Sequence, residues 1–294
     1  MTSHQAPRRA GSAEHAPGDD PRICRDTGPA APKGLVSAAV PDWTRMWNYW
    51  LGGKDHYAAD RQAAAEYAGL FPGAVTVARS CRYFTARVVR YLAGEAGIRD
   101  FLDIGAGLPL ADPVHVVAQR AAPDDVVLVS YADNDPLVLA HARALLTGPP
   151  GTVGYIDADL NDPVTLLGIA RTQLSGTRPE AILLMTTLGH IGDPAGDGDK
   201  AQAVVTALKD ALPPGGYLAI CDLTSTDPAQ DKALGQFSQA GAAPYRARTP
   251  GQITRLLDGL ELISPGVVPV HQWRPDPCPW PSAGVPAWGA VAVK

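Results

Sequence analysis

Asp103 and Asp133 each stand at the end of a short apolar run, and the first leads directly into Ile104-Gly105-Ala106-Gly107-Leu108-Pro109. Glycines at Gly105 and Gly107 let the backbone approach a ligand that side chains would exclude. A carboxylate ending the next strand, with Asn134 beside it, can accept hydrogen bonds from both hydroxyls of a ribose. A further acidic edge, Asp157-Ala158-Asp159-Leu160, closes the run after that, where one carboxylate can take the amino group of an adenine. Asp133 also has a reading as a helix cap. Asp135, directly before Pro136, is better placed for that task and frees Asp133 for a ligand. Asp162 before Pro163 reads as another cap.

The same turn discriminates between nucleoside cofactors. A dinucleotide fingerprint wants a third glycine at position 110, where Leu110 stands, and free N–H groups at the helix start for a pyrophosphate. Pro109 removes one of those donors. S-adenosylmethionine carries no phosphate and tolerates both departures. The phosphate-binding pattern G-x-x-x-x-G-K-[ST] is absent as well. A nicotinamide-dependent oxidoreductase is therefore disfavoured.

Other residues could carry chemistry beside such a cofactor. Methyl transfer from a sulfonium is chiefly a matter of aligning nucleophile and methyl group, so a general base is optional. His190, near the end of the fourth predicted strand, is the candidate base, with a structural, hydrogen-bonded histidine as the competing reading. Lys54-Asp55-His56 follows a glycine pair and could cover the cofactor or touch a substrate, or form a solvated helix connection. Arg79 and Arg82 share a helical face that could hold a carboxylate or merely solubilise. Trp43, Trp47 and Trp50 form a stripe that reads as docking a helix on the core. No Asn- or Asp-Pro-Pro-aromatic motif follows the fourth strand, and Pro277-Cys278 lies too late for a cytosine-attacking thiol, which excludes the common DNA methylation chemistries.

These groups need a scaffold that brings strand ends together. Three helices are predicted first: one from Asp42 to the Gly52-Gly53 pair, then 60–70 and 74–95, the last with Ala78, Cys81, Phe84, Val88, Tyr91 and Leu92 on one side. Strands follow at 100–104, 126–132, 153–156, 181–187 and 217–221, separated by helical segments that include 136–146 and 200–212. A long polar connection is expected over 223–248, a last helix from Thr249-Pro250 through Leu257, and two extended segments at 262–273 and 288–293. Alternation of this kind predicts an α/β, doubly wound Rossmann-like sheet, closed by an antiparallel C-terminal hairpin and preceded by an N-terminal helical cap. The division expected is a disordered leader over 1–34, the cap over 35–97 and a cofactor-binding domain over 98–294.

Composition narrows the setting. The chain has 294 residues, 46% hydrophobic and 19% charged, with a formal net charge of -5, enough to bury a full core and too acidic for a nucleic-acid surface. The four cysteines Cys24, Cys81, Cys221 and Cys278 are scattered, so no metal site or disulfide framework is read, and a reducing cytoplasm is expected. No segment has the length of apolar sequence that a membrane span needs.

The chain resembles the class I S-adenosylmethionine-dependent methyltransferases through Asp103 to Gly107 and through Leu212-Pro213-Pro214-Gly215-Gly216-Tyr217-Leu218. More narrowly it resembles an actinobacterial S-adenosyl methyltransferase family, through Leu51-Gly52-Gly53-Lys54-Asp55-His56, Asp133-Asn134-Asp135-Pro136, Asp157-Ala158-Asp159-Leu160 and Trp273-Arg274-Pro275 among other segments. The resemblance implies a seven-stranded sheet with S-adenosylmethionine on Asp103, Gly105, Gly107, Asp133 and one of Asp157 and Asp159. It supplies no substrate. The expectation is a methyltransferase acting on a small molecule, with a non-catalytic cofactor-binding regulator as the alternative and a homodimer through the edge hairpin as a further expectation.

Overall fold

The fold was obtained as a computed structural model that describes residues 1, 36–191, 199–239, 243–277 and 284–294. The expected leader, apart from Met1, lies outside the described residues, as do Cys24, Cys278 and the segment 192–194.

Helix α1 (Trp43–Trp50) begins where the Asp42 carboxylate accepts the Arg45 N–H. Its stop is set by Gly52, which takes a left-handed φ of 81°. Asp60, in the first turn of α2 (Ala58–Leu70), accepts from the Tyr57 and Asp42 N–H groups and from Arg45 Nε at 2.8 Å. Arg45 also donates to the Ser37 and Val40 carbonyls, so this buried ion pair ties the chain entry, α1 and α2 into one unit. Helix α3 (Ala74–Gly94) buries Ala78, Cys81, Phe84, Val88 and Leu92 as its spacing predicts, while Tyr91 is half-buried under Arg274.

Alternating elements follow: β1 (Asp100–Ile104), α4 (Val114–Ala121), β2 (Leu128–Asp133), α5 (Pro136–Leu145), β3 (Val153–Asp157), α6 (Pro163–Gln173), β4 (Glu180–Met185), α7 (Asp199–Ala211) and β5 (Tyr217–Leu223). Asp135 and Asp162 cap α5 and α6 as expected, accepting from the Leu137 and Thr165 N–H groups. After β5 come α8 (Pro228–Gln239), α9 (Pro250–Leu256), β6 (Glu261–Leu262), β7 (Val268–Pro269) and β8 (Ala287–Val293).

The sheet order is β3-β2-β1-β4-β5-β8-β6, with β7 also paired to β8. Strands β1 to β5 run parallel, β8 is antiparallel to β5, and the order reverses between β1 and β4. Strand residues alternate between the two faces: Phe101, Val129 and Leu183 join α1 to α5 and α8, while Leu102, Leu128 and Ile182 join α6, α7 and α9.

Two expectations need correction. The segment 262–273 is not one strand. A turn at Ile263–Gly266 splits it into β6 and β7, which together fill the seventh position of the sheet. His271 to Trp273 then leave the sheet in a 3₁₀ turn, because Trp273 is wholly buried against Phe84 and Tyr91, a packing gain that local pattern does not reveal. The supposed polar connection over 223–248 contains α8, whose Ala233, Leu234 and Phe237 are buried.

Candidate functional site

A cavity of about 410 Å³ opens at the carboxyl ends of the strands, where the sheet order reverses, the place at which open α/β sheets bind ligands. It gathers Asp103, Gly105, Gly107, Asp133, Asn134, Asp159, Leu160 and His190 from the sequence-predicted set. Asp157, register partner of Asp133, does not line it. Neither do Lys54, Asp55 and His56, which form the connection between α1 and α2. There Lys54 is exposed, the Asp55 N–H donates to Asn48 Oδ1 at 2.9 Å, and His56 packs edge-on against Tyr49.

One half of the cavity is acidic. Asp133 accepts from the Gly107 N–H at 3.1 Å and the Asp135 N–H at 3.0 Å, and the Asn134 N–H also turns toward it, which holds the glycine turn against β2. Burial pushes its pKa up to about 6. Asp103 is more isolated: burial pushes it up to about 7, with Arg82 opposing and Asp133 adding to the shift. Asp159 faces the same space and accepts from both the backbone and side-chain N–H groups of Asn161 at 2.8 Å.

The two glycines serve different ends. Both take left-handed conformations, with φ of 72° at Gly105 and 66° at Gly107. A Cβ on Gly105 would come 2.5 Å from the Thr187 side chain, so the missing side chain here makes room for Thr187 at the cavity wall. A Cβ on Gly107 would meet nothing closer than Thr44 at 3.7 Å, which leaves its surface open to the cavity.

The other half is neutral and aromatic. Met185 ends β4, Thr186 follows it, and a 3₁₀ turn at Leu188–His190 carries His190 to the wall. The imidazole opens to the cavity but is ringed by Trp43, Tyr245 and the Pro244 backbone, and desolvation pushes its pKa down to about 4. At neutral pH it is an uncharged hydrogen-bonding group and a weak base. Trp43 and Trp47 face the cavity as well, while Trp50 lies behind them in the core. The tryptophan stripe thus both docks α1 and forms wall.

Sequence reasoning missed the support of this half. Asp222, buried at the end of β5, accepts a hydrogen bond from the Tyr245 hydroxyl and pairs with Arg248 at 2.8 Å, and all three are buried. Tyr245 occupies the space a side chain at Gly189 would need. Nothing local in the sequence marks this triad. Of the arginine pair, Arg79 is exposed, and Arg82 donates to the Ala111 and Asp112 carbonyls, bracing the loop after the glycine turn. Among the described residues no cluster of three or more potential metal ligands occurs, and no helix is long and apolar enough to cross a membrane.

Comparison with known proteins fits this arrangement. The model of a family described as S-adenosyl methyltransferase matches residues 30–294. The chain belongs to that family. Among solved structures, it is similar to a candidate methyltransferase from Thermobifida fusca YX, at 38% identity over 87% of this chain and 96% of that one, with a TM-score of 0.79. A DUF574 family protein from Streptomyces avermitilis is similar at 35% identity, over 87% and 98% of the two chains, with a TM-score of 0.80. No curated protein sequence matches. The match to the S-adenosyl methyltransferase family spans the whole described sheet, its parallel strands and its antiparallel C-terminal strands alike.

Proposed function

We propose that this chain transfers a methyl group from S-adenosylmethionine to a small molecule, with the cofactor on the acidic half of the cavity and the acceptor on the neutral half. The observation that carries this reading is the continuity of the cavity from Asp103, Asp133 and Asp159 to His190 and Trp47.

The residues present fit the cofactor. The Asp133 carboxylate faces the cavity with acceptor capacity left for ribose hydroxyls, Asp159 and Leu160 offer a polar and an apolar contact for an adenine, and Gly107 keeps the turn open. Asn134 lies on the same wall. The Asp103 carboxylate is buried with no hydrogen bond among the causes that set its pKa, and a buried carboxylate in that state favours a cationic ligand group. Held by these residues, S-adenosylmethionine would supply a methyl group activated by its sulfonium. The chain's own part is to hold the acceptor in line and exclude bulk water. His190, neutral above about pH 4, accepts a hydrogen bond from the acceptor and does not retain its proton.

Calorimetric titration with S-adenosylmethionine, S-adenosylhomocysteine and NAD tests the assignment. Both adenosyl ligands bind the wild type and lose affinity in Asp133→Ala, while NAD does not bind. Failure of the adenosyl ligands to bind, or unchanged affinity in the variant, overturns it.

A further inference from the structure

Given the reading in which the cofactor occupies the acidic half, we infer that the methyl acceptor is an uncharged, planar, oxygen-bearing molecule seated on the neutral half of the cavity. The distribution of charge along the described wall leads to this. Its charged residues are Asp42, Arg82, Asp103, Asp133, Asp135 and Asp159. Each belongs to the acidic side: Asp42 senses the charge of Asp135, and Arg82 that of Asp103. The body of α1, the end of β4 and the 3₁₀ turn contribute Trp43, Trp47, Asn48, Met185, Thr186 and His190. None of these is ionised near neutral pH, His190 because of its packing.

An ion placed against that wall would lose water without meeting a counter-charge, and unpaired buried charge is strongly disfavoured. A planar ring would exchange water for aromatic contact with Trp47, which is half-buried and edge-packed only on Trp50 among aromatic neighbours. A second observation specifies oxygen. His190 opens to the cavity from the 3₁₀ turn with an imidazole that is uncharged near neutral pH, so a ring nitrogen accepts the hydrogen bond that a ligand hydroxyl donates. Asn48 lies almost wholly buried in the same wall, with its Oδ1 on the Asp55 N–H and its Nδ2 sealed from the cavity beside Gly53. In transfer the ligand hydroxyl's oxygen would provide the lone pair for the new O–C bond as the S–C bond breaks with its pair on sulfur, and the hydroxyl proton would be released to solvent outside the cavity.

Three phenols of similar size separate the charge classes: 4-hydroxyacetophenone is neutral, 4-hydroxybenzoate anionic and tyramine cationic. Each is titrated near neutral pH into full-length protein loaded with S-adenosylhomocysteine, and methyl transfer from labelled S-adenosylmethionine is followed in parallel. The ketone should bind and react at least tenfold better than either ion. Trp47→Ala should lose ketone binding with cofactor affinity intact, and Trp47→Glu should shift the preference toward tyramine. Equal or better binding of an ion by the wild type, or no binding of any of the three in the millimolar range, overturns the inference. Failure of the adenosyl ligand itself to bind marks a failure of the cofactor assignment instead.

Discussion

The two halves of the cavity are built by different means. In the acidic half, Asp103 lies on β1, Asp133 ends β2 and Asp159 follows β3, so their positions follow from strand pairing, with Asp103 opposite Tyr131 and Asp133 opposite Asp157. The neutral half is assembled from α1, the end of β4, a 3₁₀ turn and the segment 243–248, parts distant in sequence that are joined by side-chain packing and by isolated backbone bonds such as that from the Arg246 N–H to the Gly189 carbonyl at 2.9 Å. A backbone ladder needs little help to place a carboxylate. An aromatic wall gathered from distant segments needs a buried framework, which the Asp222, Tyr245 and Arg248 triad supplies.

If that contrast is right, removing the triad should damage one half and spare the other. Asp222→Ala leaves Arg248 buried without its partner, a change that costs about 3–5 kcal/mol in comparable cases. The melting temperature should fall by roughly 10 °C for a domain of this size. Below the transition, affinity for S-adenosylmethionine should survive, and acceptor binding should not. Loss of both together, measured by calorimetry, would mean that the halves are not separately built. The converse variant, Asp133→Ala, removes the acceptor for two backbone N–H groups together with the proposed ribose contact. Its effect should be a roughly 10- to 100-fold loss of cofactor affinity, the worth of charge-assisted hydrogen bonds, with a smaller change in melting temperature.

The same contrast explains what could be read from the sequence. Strand ends, helix caps and the glycine turn are local signals, so Asp103, Asp133, the caps Asp135 and Asp162 and the span of β1 all fall where the pattern puts them. Asn48, Thr186 and Tyr245 gained their places from tertiary contacts, and no spacing rule points to them. Gly105 illustrates the limit within one motif. Its residue type is legible, yet the group it accommodates is Thr187, from the end of a strand far along the chain. Lys54-Asp55-His56 differs in the other direction: a charged turn after glycines suggests function, whereas its place in the fold is beside the cavity rather than on its wall, with the Asp55 N–H on Asn48. The split of 262–273 into β6 and β7 was hidden for the same reason as the triad: the pull on Trp273 comes from Phe84 and Tyr91.

Acidity should distinguish the halves with opposite signs. Asp103 and Asp133 titrate in the folded chain near 7 and 6, above the unfolded carboxylate value of about 4. The folded state therefore holds extra protons between those values, and the stability these groups contribute falls as pH rises through that window. His190 is shifted the other way, to about 4 from 6.5, so its contribution falls as pH drops below the unfolded value. Melting curves of Asp103→Asn should expose the His190 trend, and those of His190→Gln the carboxylate trend. A cationic ligand prefers the ionised carboxylates, so affinity for S-adenosylmethionine should rise at least about tenfold from pH 5 and level off only above about pH 8, where Asp103 is fully ionised. S-adenosylhomocysteine, lacking the sulfonium charge, should show a shallower rise. A flat profile for both ligands would remove electrostatics from the account of the acidic half.

The smallest expected change lies at the seam between the halves. Thr186 adopts a left-handed φ of 63°, which is strained for a β-branched residue. It is held there because its N–H donates to the Cys221 carbonyl at 2.7 Å and its hydroxyl to the Met185 carbonyl at 2.6 Å. The kink turns the chain so that Thr187 can donate to the Ile104 carbonyl at 3.0 Å and fill the space above Gly105. Glycine at position 186 would relieve the strain and give back part of the gain as chain entropy, a net stabilisation of about 1 kcal/mol. Thr186→Gly should therefore melt a few degrees higher, keep its cofactor affinity and transfer methyl more slowly, because a looser strand end aligns the acceptor less well. Thr186→Ala keeps the strained backbone and loses only the hydroxyl bond, so it should melt no higher than the wild type. If both variants melt alike and react alike, the strain at Thr186 does not serve to join the two halves.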